Sequence, residues 1–215
     1  MARVSQEHLD ARRRQILDGA ALCFARNGFH ATSMQDVLKA VDLSAGAVYR
    51  YFSGKEELIE AIVTEVLSTL GDIFKGATTE SPPPLPDVLV LRVLERMREL
   101  RPLTVDGEWM FPRLMIQVWT ETLRNEKLGA VLTPGFGRVE EAWRQVVERY
   151  RDAGLVPEDV DARAMARVMI AVVQGFAVQM VLFGDVSEDT LRDGLRALMS
   201  VGGPSAVGGR DAQPV

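Results

Sequence analysis

The apolar residues of this chain recur at intervals of three and four positions, which is the spacing of one face of an α-helix. The pattern is clear from Leu9 to Phe24 and again from Leu58 to Ile73. No segment combines the two-residue alternation of a strand with hairpin turn signals. Because 47% of the 215 residues are hydrophobic, enough apolar surface exists for a sizeable core. The sequence therefore predicts an all-α fold.

Three short helices are predicted before residue 56. The first, about 7–26, ends at Asn27-Gly28, a pattern typical of a left-handed C-terminal cap. Ser33 and Ser44 precede the second helix (34–41) and the third (45–51) as N-cap residues. We expect this unit to form one domain, residues 1–56.

A longer fourth helix is predicted to begin at a capping box, Ser53-Gly54-Lys55-Glu56, and to run into a second domain, 57–201. Residues 75–86 contain four prolines and predict a loop. Five further helices are predicted, at about 87–100, 109–125, 135–153, 159–183 and 187–200. Residues 202–215, rich in glycine and small residues, predict a flexible tail.

The predicted helix 159–183 is apolar on more than one face. Its seventeen residues from Val168 to Gly184 carry no charge, which is at the lower limit of membrane-spanning length, and we interpret the helix as buried and not as a membrane span. A helix that is apolar on two sides packs against its own domain and a second surface, here the same helix of a twin subunit. The predicted dimer interface comprises Val168, Val172, Met180, Leu191, Leu195 and Leu198.

Charge and cysteine content narrow the class of protein. A single cysteine, Cys23, excludes a disulfide-stapled secreted scaffold, and without a secretory signal at the start the cytoplasm is the expected location. The net charge is −5, but residues 1–56 carry +2 and the remainder −7. A small basic excess on an acidic chain suits a DNA-reading module on a body that phosphate repels.

Residues 33–51 have the spacing of a helix-turn-helix. Ala45, Gly46 and Ala47 are small enough to let the backbone approach a phosphodiester closely. Tyr49 and Tyr51 add hydroxyl groups, and Arg50 and Lys55 add positive charge on the same side. The alternative is a helical hairpin whose tyrosines belong to an ordinary amphipathic surface.

Three runs in this region resemble the TetR family of bacterial transcriptional regulators: Thr32-Ser33-Met34-Gln35-Asp36-Val37, Leu43-Ser44-Ala45-Gly46-Ala47-Val48-Tyr49-Arg50-Tyr51-Phe52, and Lys55-Glu56-Glu57-Leu58. The resemblance covers about residues 12–62. Two positions depart from the family pattern, because Leu38 and Asp42 stand where the family commonly has alanine and glycine. The turn between helices two and three is therefore expected to differ slightly.

The resemblance implies a DNA-binding site. Ser33 would hold a phosphate, Gln35 would lie at the groove edge, and residues 45–47 would enter the major groove. Because those three residues carry no hydrogen-bonding side chain, we expect much of the specificity to come from DNA shape. The complete predicted set is Thr32, Ser33, Gln35, Ser44, Ala45, Gly46, Ala47, Tyr49, Arg50, Tyr51 and Lys55.

The implied function is a ligand-responsive regulator, most often a repressor, that binds a palindromic operator in double-stranded DNA as a homodimer. A small, largely apolar effector would occupy the second domain and release the DNA through helix four. The predicted pocket residues are Met97, Met110, Phe111, Met115, Gln117, Trp119, Glu121, Trp143, Met169, Gln174 and Phe176. For each of them an ordinary core position is the alternative.

An enzyme is not expected, and neither a cofactor nor a metal. The two histidines, His8 and His30, have no partner at a motif spacing, which leaves hydrolase triads and metal clusters without support. Cys23 is most simply a packed residue, with a redox-sensing thiol as the alternative. A transcriptional activator of the same fold, a helical enzyme of small molecules and a helix-turn-helix interaction module remain alternative functions.

Overall fold

The computed structural model describes residues 6–100 and 103–201. These residues form nine α-helices and one two-stranded antiparallel hairpin, so the predicted all-α class is confirmed. The predicted flexible tail, 202–215, lies outside the described residues. The elements are α1 (Gln6–Asn27), α2 (Met34–Val41), α3 (Ala45–Tyr49), α4 (Lys55–Thr79), α5 (Pro86–Leu100), β1 (Thr104–Val105), β2 (Glu108–Trp109), α6 (Phe111–Thr122), α7 (Glu126–Asp152), α8 (Ala162–Leu182) and α9 (Glu188–Ser200).

The first three helices pack around a small apolar core, and we call residues 6–54 the head. Phe24, Val37 and Val48 are buried at its centre. Gly19 allows α1 and α2 to approach closely, since a Cβ atom there would lie 2.2 Å from Cγ1 of Val41. Gly28 ends the first helix with a φ of +82°, as its Asn-Gly pattern predicts.

Side-chain caps fix the starts of the second and third helices. Ser33 and Asp36 form a capping box, and the Ser44 hydroxyl accepts a hydrogen bond from the Ala47 N–H. The capping box predicted for α4 is wrong, because the N-cap is Gly54, which has no side chain to accept a hydrogen bond. Instead, the Glu57 carboxylate accepts from the N–H (2.7 Å) and the hydroxyl (2.9 Å) of Ser53, the residue before the N-cap.

The larger part of the chain is a bundle in which α4 packs along α7, α7 along α8, and α5 along α9. α4 continues to Thr79, so the predicted loop 75–86 is wrong in its first half, because the prolines that exclude a helix begin only at Pro82. α7 begins nine residues before its predicted start. Asn125 caps it through the Leu128 N–H, and Pro134 lies inside the helix.

Two further features differ from the sequence prediction. Residues 104–109 form a short hairpin whose turn, Asp106-Gly107, has positive φ angles of 52° and 82°. Asp-Gly is a strong signal for such a turn, but strands of two residues give no alternating pattern to accompany it.

α8 is predicted to be buried, but only 22% of the residues in its most apolar stretch are buried. Among the described residues it is the one helix that passes a length-and-composition test for a membrane span, a test that core helices of soluble proteins also pass.

Candidate nucleic-acid interface and ligand chamber

The turn between α2 and α3 is tight although it lacks the expected glycine. Asp42 adopts the left-handed conformation, with φ 52° and ψ 49°, and its N–H donates to the Lys39 carbonyl at 3.3 Å. The next N–H, from Leu43, donates to the Leu38 carbonyl at 3.3 Å. Aspartate tolerates this region better than most residues do. The departure at Asp42 is therefore accommodated within an ordinary helix-turn-helix.

The outward face of α3 consists of small residues followed by larger polar ones. Ala45 and Gly46 are exposed, and a Cβ atom at Gly46 would meet no atom within 4 Å. Packing within the chain therefore does not require a glycine there. Tyr49 is 49% exposed and Arg50 is exposed, whereas Tyr51 is half-buried against the core.

The start of α2 lies beside this face. Gln35 and Ser33 are exposed, but the hydroxyl (2.6 Å) and the N–H (2.8 Å) of Ser33 both donate to Oδ2 of Asp36. These hydrogen bonds hold the pKa of the Asp36 carboxyl below its ordinary value. A phosphate bound at Ser33 would compete with that carboxylate for the same donors.

Thr32, predicted to contact DNA, instead lies inside the head. Its side chain is buried, and its hydroxyl lies 2.8 Å from the Gly28 carbonyl and 3.2 Å from the Cys23 carbonyl. These carbonyls belong to the end of α1, so the hydroxyl satisfies the backbone of the corner between α1 and α2. The prediction that Thr32 belongs to a DNA-contacting surface is therefore wrong.

Lys55, also predicted to contact DNA, binds the same corner. Its Nζ donates to the carbonyls of Phe29 (2.9 Å), Thr32 (3.2 Å) and His30 (3.4 Å) and lies 4.6 Å from the centre of the Phe29 ring. An ammonium group has three N–H donors, and these carbonyls use all three. In this arrangement Lys55 positions the head on α4 and has no donor left for phosphate. Its partners lie 23 to 26 residues earlier in the chain, so no local pattern could indicate them.

Five helices, α4 to α8, enclose an apolar cavity of about 120 Å³, which we call the chamber. The predicted pocket residues that line it are Phe111, Met115, Trp119, Trp143 and Gln174. Met97 lines a smaller neighbouring cavity of about 70 Å³ that shares Phe111 and Met115 with the chamber. The predictions for Met110, Met169 and Phe176 are wrong, because these side chains are buried core residues outside both cavities.

α4 also contributes to the chamber, which the sequence did not predict. Its residues Ile62, Val66, Leu70 and Phe74 form much of one wall, and the ring of Phe74 packs against Trp143 with centroids 5.0 Å apart. The apolar stripe of α4 is the sequence pattern that could have indicated this wall, but the same stripe is typical of an ordinary core helix. A single helix therefore packs under the head at one end and against the chamber farther along.

Gln117 and Glu121, predicted as polar anchors of the pocket, face the head instead. Glu121 is 5% exposed, and its Oε2 lies 2.8 Å from Nε2 of His30. Oε1 of Gln117 lies 3.2 Å from the position that a Cβ atom on Gly28 would occupy. His30, which has no partner at a motif spacing in the sequence, is therefore the partner of a buried carboxylate on α6. The same helix supplies chamber residues from its other side.

The residues predicted at a dimer interface divide into three groups. Val168 and Leu198 are 61% and 69% exposed. Val172, Met180 and Leu191 are half-buried against the core of the chain itself. The prediction for Leu195 is wrong, because this side chain is buried where α9 packs against α5.

Cys23 is a packed residue of the head. It is 8% exposed, and its Sγ lies 3.8 Å from the Asp36 carbonyl oxygen. Burial, and then the negative charge of Asp36, raise the pKa of the thiol. Since the thiolate is the reactive form, this environment argues against a redox-sensing cysteine.

A helix-turn-helix head carried on a long helix, with a separate bundle around an apolar chamber, defines a DNA-binding transcriptional regulator. Sequence comparison agrees with this class. The bacterial regulatory proteins of the tetR family match residues 16–62, and the C-terminal region of BetI-type transcriptional repressors matches residues 98–200.

Individual relatives extend the match over most of the chain. The HTH-type transcriptional regulator UidR of Escherichia coli K12 is 25% identical over 194 residues, which is 87% of this chain and 90% of UidR. The HTH-type transcriptional repressor Rv1474c of Mycobacterium tuberculosis is 43% identical over 65 residues, 30% of this chain and 35% of Rv1474c. The solved structure of Salmonella enterica GusR superposes with a TM-score of 0.69 at 27% identity, covering 92% of this chain and 99% of GusR. The chain belongs to the TetR family of bacterial transcriptional regulators.

Proposed function

We propose that this regulator is a cytoplasmic repressor without catalytic activity, which binds a palindromic operator as a homodimer and leaves it when a small molecule occupies the chamber. The observation that carries the proposal is the continuity of α4. This helix buries Leu58 and Ile59 at its head end, and Val66 and Leu70 line the chamber two to three turns later. A ligand that moves α4 therefore moves the head.

Operator contacts are assigned to the outward face of α3 and to the start of α2. Residues 45–47 bring the backbone close to the DNA, Tyr49 and Arg50 contact the phosphate backbone or groove edge, and Gln35 lies beside them. The small residues at 45–47 offer only a methyl contact to thymine, so sequence discrimination rests largely on DNA shape. Thr32 and Lys55 support this surface from beneath.

The dimer is assigned to the unpaired outer face of α8 and α9. Besides Val168 and Leu198, this face exposes Leu182, Phe183 and Met199. Exposed apolar side chains in such a cluster are typical of a subunit interface. Two heads on a twofold axis read two half-sites about one helical turn, or a multiple of it, apart.

A second connection between chamber and head supports ligand control. α6 contributes Trp119 to the chamber and Glu121 to the 2.8 Å contact with His30. A ligand that fits better when the heads stand in a different arrangement weakens operator binding by the same coupling free energy, typically ~1–3 kcal/mol.

A mobility-shift assay with the DNA upstream of the protein's own reading frame tests operator binding. We expect a strong shift that Tyr49→Phe weakens by about tenfold, because a dimer loses two hydroxyl–phosphate hydrogen bonds of about 0.7 kcal/mol each. The unfolding temperature should not change, since the Tyr49 hydroxyl is at the surface. An interaction module predicts a weak shift that is insensitive to this substitution, and an enzyme predicts no shift.

Leu198→Glu tests the dimer face. This side chain is 69% exposed, so the change should leave the fold of the subunit intact while placing two carboxylates in the apolar interface. We expect the variant to sediment as a monomer and to lose the specific shift. Leu155→Glu, at another exposed leucine outside this face, is the matched control and should remain a dimer. A monomeric Leu155→Glu variant, or a dimeric Leu198→Glu variant, would contradict the assignment.

A further inference from the structure

The chamber continues into an open cleft between α6, α7 and α8. The cleft has a volume of about 660 Å³ and shares Trp119, Phe136 and Gln174 with the chamber. A molecule lying along this path would have one end among apolar side chains and the other end near solvent. The two ends of the path differ sharply in chemistry.

The solvent end carries a positive charge. Three ionised residues line the cleft: Glu140 of α7, and Arg163 and Arg167 of α8. Nε of Arg163 lies 2.6 Å from one carboxylate oxygen of Glu140, and Nε of Arg167 lies 2.9 Å from the other. The Glu140 side chain is 21% exposed, whereas the two arginine side chains are 66% and 64% exposed. Two guanidinium groups share one carboxylate, which leaves a net charge of +1 at the mouth.

The inner end excludes charge. Among the described residues, none of those that line the chamber is ionised, and the lining residues with polar groups are Gln174, Trp119 and Trp143. A volume of 120 Å³ is a little less than the roughly 150 Å³ of an apolar cavity that holds benzene, so the chamber alone takes about five carbon atoms and a longer chain extends into the cleft. Aromatic walls also attract cations. The nearby Glu140 carboxylate cannot pair with a cation bound there, because two arginines already bind it and it does not line the chamber.

We propose that the effector is an amphiphile with an anionic head group and an apolar chain of roughly ten carbons. The inner half of the chain occupies the chamber, the outer half lies in the cleft, and the head group takes the place of the Glu140 carboxylate on Arg163 and Arg167. This inference rests on the proposed function, because it names the class of molecule that occupies the ligand site. Moving Glu140 off α8 on binding loosens a contact between α7 and α8, two of the five helices around the chamber.

Decanoate, 1-decanol and decyltrimethylammonium have the same chain and differ in the head group. Binding to the full-length protein is measured by the fluorescence of Trp119 and Trp143, below the concentrations at which micelles form, and by calorimetry. We expect decanoate to bind at least tenfold more tightly than either of the others. Equal binding of decanol would show that the head group is not recognised, and tighter binding of the ammonium compound would show a cation site. Either result overturns the proposal.

Three variants locate the head group. Arg163→Ala combined with Arg167→Ala should lower decanoate affinity at least tenfold and leave decanol binding unchanged. Glu140→Gln should raise decanoate affinity, because it removes the competing carboxylate. Arg138→Ala, an exposed arginine on α7 that does not line the cleft, is the control and should bind as the wild type does. If decanoate binding is insensitive to the arginines, the assigned head-group site is wrong.

Failure of this inference can be separated from failure of the proposed function. If decanoate binds as expected but does not release the operator, the ligand class stands and ligand-induced release fails. If decanoate does not bind while another class of compound releases the operator, ligand-induced release stands and the anionic amphiphile is overturned.

Discussion

Gly46→Leu should greatly weaken specific operator binding without weakening the fold. The substituted side chain would project from the outward face of α3, where a Cβ atom meets nothing within 4 Å. Replacing a glycine inside a helix by leucine stabilises the helix by up to about 1 kcal/mol. The same side chain would hold the head off the DNA and weaken several backbone contacts at once. We expect operator affinity to fall about tenfold for each head, and therefore about 100-fold for a dimer, which corresponds to about 2.8 kcal/mol of binding free energy.

The measurement is operator affinity by fluorescence anisotropy at fixed salt concentration, together with thermal unfolding. Gly71→Leu is the matched control, because Gly71 is also exposed within a helix and its Cβ position is equally open. It should gain the same stability and keep wild-type affinity. Unchanged affinity in Gly46→Leu would mean that this face of α3 does not approach DNA. A loss of stability in Gly46→Leu alone would mean that Gly46 has a structural role in the head.

The sequence predicted the head well because its signals are local. Ser33 and Ser44 each cap a helix through an N–H three residues later, and Gly28 closes α1 with its own φ angle. Such contacts depend on neighbours within one helical turn, so the order of residues is enough to indicate them. The family motif lies in the same segment, which is why the class of protein could be predicted from it.

The ligand domain was harder to predict because its contacts join distant parts of the chain. Trp143 and Gln174, predicted as pocket residues, line the chamber, but Glu121 faces the head, where its partner His30 lies 91 positions earlier in the chain. A buried carboxylate on an otherwise apolar helix looks the same in sequence whether it faces a ligand or another helix. Composition therefore predicts that a chamber exists and leaves its polar anchors undetermined.

Lys55 illustrates the same difficulty within the head. The family resemblance predicts that Lys55, at the start of α4 and beside the helix-turn-helix, binds phosphate. The structure directs its three donors to carbonyls at the corner after α1. Its positive charge and its position are as predicted, but the partner is the protein backbone. Lys55→Ala should therefore lower the stability of the head as well as operator affinity, whereas Tyr49→Phe lowers affinity alone.

The ion pair between Asp87 and Arg196 is expected to be the most costly of the long-range contacts to break. Asp87 is 2% exposed at the start of α5, and its Oδ2 accepts from Nε of Arg196 on α9 at 2.7 Å. Its other oxygen, Oδ1, has no hydrogen-bond partner among the described residues. Burial raises the pKa of the nearby Tyr150 hydroxyl, and the negative charge of Asp87 raises it further; this hydroxyl donates to the Pro84 carbonyl at 2.6 Å. Within the part of the chain that the structure describes, Arg196 is the one ion-pair partner of the buried Asp87 carboxylate.

Arg196→Ala should destabilise the protein by about 3 kcal/mol, because it leaves a buried carboxylate without its cation. Denaturant unfolding measures the loss, and the variant should also dimerise less tightly, since α9 carries part of the proposed interface. Arg192→Ala is the control on the same helix. Arg192 pairs with Asp189 and Asp193 at the surface, and such pairs contribute at most about 1 kcal/mol.

Combining Arg196→Ala with Asp87→Asn should recover part of the stability, because burying a neutral amide costs less free energy than burying an unpaired carboxylate. Equal losses in the two arginine variants would show that the burial of Asp87 does not govern how α9 is held to α5.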